Sequence, residues 1–152
     1  MSGGGPEGTA FVLDASALLC YLRREEGGEV VQRVLRQCSD CATRAALPAS
    51  DLLAVYAVVA RECPDRLDDL ISLMAQLPLE VTPVTAETVE ASVRLLATSD
   101  CPKPELASAL EVSTRTRATL VTCDQEAARL PGCLYVGPPR NGAGVGKEMS
   151  KS

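Results

Sequence analysis

The sequence predicts an α/β fold: a three-layer α/β/α sandwich on a mainly parallel sheet. Short apolar runs suited to buried strands alternate with longer segments of helical periodicity, the pattern of strand-helix-strand units. Two of those runs end directly at an aspartate, where open α/β sheets meet their ligands. A length of 152 residues suits one domain with one core, and with aromatics at 3% that core must be aliphatic.

Residues 1–9 are glycine-rich, and 137–152 (GPPRNGAGVGKEMSKS) lack periodic apolar positions, so both read as flexible tails around a domain spanning 10–136. Phe11, Val12 and Leu13 form the first strand, Asp14 follows it, and Leu18, Leu19 and Leu22 continue at helical spacing. Val30, Val31, Val34 and Leu35 mark a second helix behind a glycine pair. Ala45, Ala46 and Leu47 read as a strand, Ser50 as the N-cap of the next helix, and Leu52, Leu53, Val55, Tyr56 and Val59 as its mostly buried body.

Leu67, Leu70, Ile71, Met74 and Leu77 define the apolar face of a further helix. LEVTPV supplies a strand, and Thr85, ahead of Glu87 and Thr88, opens a helix carrying Val89, Val93 and Leu96. After Cys-Pro-Lys-Pro, ELASALEVSTRTR reads as helix, ATLVT as strand, QEAARL as a helical turn and CLYVG as the last strand.

Composition narrows the chemistry. A formal charge of -5 argues against strong nonspecific binding to nucleic-acid backbones, although carboxylates that gather divalent ions can make a negative pocket accept phosphate. The chain has no histidine, which removes a histidine general base and any Ser-His-Asp triad. Seven cysteines, an odd number without a disulfide-framework spacing, fit a reducing compartment. With neither a signal-like N-terminus nor a membrane-length apolar run, the reading is an intracellular, cytoplasmic protein with no membrane partner.

Asp14 and Asp124 both sit at predicted strand ends, one after FVL and the other after TLVT. Two carboxylates in one crevice repel unless a proton or metal intervenes, so the pair is a candidate Mg²⁺ or Mn²⁺ site; helix capping or turn closure by each aspartate is the plainer alternative.

FVLDASALLCYLRRE, LPASDLLAVYAVVARE, LPLEVTPVTAETVEASVRL and ATLVTCDQEAARLPG, in this order and spacing, resemble the PIN domain family, particularly the small toxin ribonucleases of bacterial toxin-antitoxin modules. The resemblance covers most of 10–136. It implies an α/β/α sandwich that gathers acids around Mg²⁺ or Mn²⁺ and cleaves single-stranded RNA, and it makes a homodimer an expected assembly.

Carried over by residue, the resemblance makes Asp14 the first acid with Ser16 as its hydroxyl, and Asp124 the late acid with Thr122 as its hydroxyl neighbour. The other two family acids are not matched. Ala54 stands where the middle helix usually carries Glu; Asp51, three residues earlier, either substitutes for it or is a first-turn aspartate favoured by the helix dipole, the reading we prefer. The helix before the late strand carries Leu106 or Ser108 where an acid is expected, with Glu105 adjacent as a candidate. Two functions follow. One is a metal-dependent endoribonuclease using Asp14 and Asp124, with Asp51 or Glu105 completing the set; the other is an inactive PIN-like module acting in protein or RNA binding.

Other motifs carry less. Cys38-Ser39-Asp40-Cys41 has no second pair and no histidine to complete a zinc site, so it reads as two loop thiols. Arg23, Arg24, Arg115 and Arg117 are candidates for RNA contact, but four aromatics make a base-stacking platform a poor expectation.

Overall fold

The structure, a computed structural model, describes residues 10–100 and 103–138. The predicted N-terminal tail, and the predicted C-terminal tail from 139 onward, lie outside them. The elements are β1 (Phe11–Leu13), α1 (Ala15–Leu22), α2 (Gly28–Asp40), β2 (Ala45–Pro48), α3 (Ala49–Glu62), α4 (Leu67–Gln76), β3 (Leu79–Thr82), α5 (Ala86–Ala97), α6 (Ala107–Thr116), β4 (Thr119–Thr122) and β5 (Cys133–Tyr135). Single 3₁₀ turns at Pro64–Arg66 and Pro104–Leu106 lead into α4 and α6.

The strands form one sheet in the order β3-β2-β1-β4-β5, and every pairing is parallel. From β1 the chain builds outward through β2 to β3, then returns to the opposite side of β1 for β4 and β5. The order therefore reverses between β1 and β4, where open α/β sheets leave a crevice. Phe11, Val12 and Leu13 stand in register with Thr119, Leu120 and Val121. That register brings Asp14 and Thr122 to the same carboxyl end of the two strands.

Alternation along the strands makes the three layers. Leu13, Ala45, Leu47 and Val121 point to one side and pack with Leu18, Val31, Val55 and Leu70 of α1 to α4. Val12, Ala46 and Leu120 point to the other, against Ala109 and Val112 of α6. Leu13, Leu47 and Val121 are wholly excluded from solvent, so truncating such a leucine to alanine costs about 2–5 kcal/mol. On the α6 side the inward residues of the helix are small, and α5 packs on α6.

Several expectations are corrected. Helix α3 begins at Ala49 with Pro48 at the cap and no side-chain cap bond, so Ser50 lies inside the first turn. Its body is not mostly buried: among its residues only Asp51 and Val55 are, and Leu53 is 69% exposed. The reason is geometric, since Asp51 and Val55 lie one turn apart and form a single narrow i, i+4 stripe toward the core. Ile71 on α4 and Val89 and Val93 on α5 are likewise exposed, while Ser92 occupies the inward position on α5. Thr85 does cap α5, through a reciprocal box with Thr88. Cys38 is not a loop thiol; it lies in the core on α2, and Cys41 caps that helix in the open.

Candidate functional site

Asp14 ends β1 and caps α1. Its backbone is extended, and its Oδ1 accepts the Ala17 N–H at 2.8 Å, satisfying a first-turn donor of the helix. The same oxygen accepts the Ser16 hydroxyl at 2.7 Å, and Oδ2 accepts the Thr122 hydroxyl at 2.6 Å.

Both hydroxyls also receive an N–H from the turn after β4. Cys123 N–H donates to Ser16 Oγ at 2.9 Å, and Asp124 N–H donates to Thr122 Oγ1 at 3.0 Å. Two parallel relays thus run from the β4 turn through a hydroxyl to the Asp14 carboxyl. In a low-dielectric setting such chains reinforce one another. Asp14 is 2% exposed, and burial pushes its carboxyl above the ordinary range, against the hydrogen bonds from Thr122, Ser16 and Ala17.

Asp51 joins this end of the sheet from α3. It is in the first turn, as expected, but it is 4% exposed, and its Oδ1 accepts the Ala15 N–H across the gap to α1 at 3.0 Å. Its Oδ2 has no hydrogen-bond partner among the described residues. Burial pushes Asp51 up to about 7; the Ala15 hydrogen bond opposes this and the nearby Asp14 charge adds to it. The helix-dipole explanation alone is therefore insufficient, because an exposed first-turn aspartate needs no such contact.

Asp124 lies in the turn after β4, with its side chain largely covered. Its Oδ1 accepts the Glu126 N–H at 2.8 Å, and its Oδ2 accepts the Lys103 ammonium at 2.6 Å. Burial alone raises its carboxyl, but the Lys103 hydrogen bond leads the opposing effects and the net value lies below the ordinary range. Lys103 Nζ also stands 4.0 Å from Glu126 Oε1. Glu105 lies exposed in the Pro104–Leu106 turn and reaches the site only as a charge near Lys103. Leu106 is 2% exposed and packs with Ala127 and Leu130. A position where the resemblance expects a carboxylate is thus part of an apolar cluster.

Asp14, Ser16, Thr122 and Asp124 therefore come together at the β1/β4 reversal, Asp51 comes with them, and Glu105 does not. Lys103 was not anticipated. Its signal was present, since it is the only lysine between positions 10 and 138, but Cys-Pro-Lys-Pro reads first as a chain break. The arginines considered for RNA contact are partly engaged: Arg23 pairs with Glu62 at 2.9 Å, and Arg115 pairs with Glu111 on the same helix at 2.9 Å.

The donor set does not fit the divalent ion that the resemblance implies. Mg²⁺ and Mn²⁺ require several oxygens converging on one point. Here both Asp14 oxygens accept internal donors, both Asp124 oxygens are engaged, and only Asp51 Oδ2 is left over. Among the described residues no three Cys, Asp or Glu side chains form a metal-holding group. Thiol chemistry is also disfavoured: burial pushes Cys20 up to about 12 and raises Cys123, so neither supplies much thiolate at neutral pH.

No family model matches the sequence, and no curated protein matches it. Solved structures do. A chain in the crystal structure of VapBC2 from Rickettsia felis bound to a DNA fragment from their promoter aligns with a TM-score of 0.55 at 11% identity, covering 82% of this chain and 96% of that one. A chain in the crystal structure of DNA-bound VapBC from Salmonella typhimurium aligns with a TM-score of 0.54 at 15% identity, covering 84% and 96%. The fold is PIN-like, as the sequence motifs led us to expect.

Proposed function

We propose that this PIN-like protein works by binding a protein partner, and that its acidic strand ends form a structural knot in place of a metal-dependent RNA-cleaving centre. The observation that carries this reading is the internal engagement of the acids: Asp14 accepts two hydroxyls and an N–H, and Asp124 accepts the Lys103 ammonium. A carboxylate committed to internal donors has little left to offer a hard cation.

The partner side rests on exposed aliphatics. Leu53, Ile71, Val81 and Val93 are each at least 45% exposed. Leu52, Tyr56, Ile71, Met74, Leu79 and Val81 line a groove between α3, α4 and the edge strand β3. Apolar surface of this kind favours a protein over a polyanion, as do the formal charge of -5 and the scarcity of aromatics. The assembly of both solved neighbours as VapBC complexes supports a protein partner here as well. A second copy of this chain is the competing occupant, distinguished by the hydrodynamic mass of the isolated protein.

The second reading, a metal-dependent endoribonuclease, is favoured by one arrangement: Asp51, Asp14 and Asp124 follow the adjacent strands β2, β1 and β4, and Asp51 Oδ2 has no partner among the described residues. One experiment separates the two. Purified protein is incubated with mixed-sequence single-stranded RNA and Mn²⁺ beside Asp14→Asn and Asp124→Asn. Our reading expects the same background from all three; cleavage by the wild type that both variants lose contradicts it.

A further inference from the structure

We infer that the Lys103 ammonium is the resident cation of the acidic strand ends, taking the electrostatic place that a divalent ion would need. The inference rests on the reading of this end as a noncatalytic knot and identifies what excludes metal from it.

The backbone aims Lys103 at the site. Residues before proline are driven to extended conformations, and Lys103, ahead of Pro104, has φ -104° and ψ 116°. The Pro104–Leu106 turn is anchored by Leu106 packing on Ala127 and Leu130, which belong to the segment just after Asp124. The anchor holds the lysine and the aspartate on facing segments. The ammonium then sits 2.6 Å from Asp124 Oδ2 and 4.0 Å from Glu126 Oε1, balancing the acids of that turn.

The substitution is chemically coherent. A compact, strongly hydrated point charge with three donors answers carboxylate oxygens without imposing coordination geometry. It also repels any second cation that approaches the same oxygens. The side chain is only partly exposed, 33%, so its position is shaped by packing as well as charge.

The test is calorimetric titration with MnCl₂ of the wild type, Lys103→Ala, Lys103→Met and the double variant Lys103→Ala/Asp124→Asn, with circular dichroism confirming each fold. Lys103→Met keeps the apolar stem should alanine loosen the turn. We expect no binding by the wild type below millimolar metal, a gain of about ten-fold or more in affinity in both lysine variants, and its loss in the double variant. Folded lysine variants with no gain overturn the role of Lys103 while leaving the noncatalytic reading in place. Micromolar Mn²⁺ binding by the wild type overturns both.

Discussion

Thr122 donates its hydroxyl to Asp14 Oδ2 at 2.6 Å while accepting the Asp124 N–H at 3.0 Å, so one buried side chain ties the end of β1 to the turn that carries Asp124. Thr122→Val keeps the shape and removes both bonds. It leaves the Asp14 oxygen and the Asp124 N–H short of partners, which costs about 1–3 kcal/mol for a buried group. Denaturant unfolding should show a lower midpoint at unchanged slope. An unchanged midpoint removes the knot as a stabilising element.

Asp51 supplies the pH dependence. Its folded value is about 7 against an ordinary 3.8, so between those limits the folded chain holds a proton that the unfolded chain has released. Its contribution therefore weakens the fold as pH rises through this window. Asp51→Asn keeps an acceptor for the Ala15 N–H and cannot ionise. Its stability relative to the wild type should increase from pH 4 to pH 8. Parallel pH profiles for the two proteins contradict the assigned burial of Asp51.

Legibility in the sequence followed the physics. The strand runs FVL, AAL and TLVT, and the Thr85 cap, were readable because strand burial and capping are local signals. Asp14 and Asp124 were readable as strand-end acids for the same reason. The exposure of Leu53 and Val93 was not, because apolar spacing cannot say which neighbour is missing on the outer side of α3 or α5. Nor was the Asp51 contact with Ala15, which depends on where two helices meet, or the Lys103 contact with Asp124 across 21 residues.

The groove of α3, α4 and β3 makes a prediction about partners. Ile71→Lys and Val81→Lys alter exposed side chains, so each should leave folding stability within about 0.5 kcal/mol. Both should remove a stoichiometric protein that co-purifies with the tagged wild-type chain from its own cell. Retention of that protein by both variants moves the interface away from this groove.

The most direct measurement is the thermal midpoint of the wild type with and without millimolar MnCl₂ in chelator-treated buffer, with Asp14→Asn alongside. An ion present at 100 times its dissociation constant stabilises the fold by about 2.7 kcal/mol, which for a domain of this size is a shift of roughly 5–10 °C. The structural-knot account predicts no shift in either protein. A rise of that size in the wild type, absent from Asp14→Asn, contradicts it and returns the acidic strand ends to a metal-dependent nuclease.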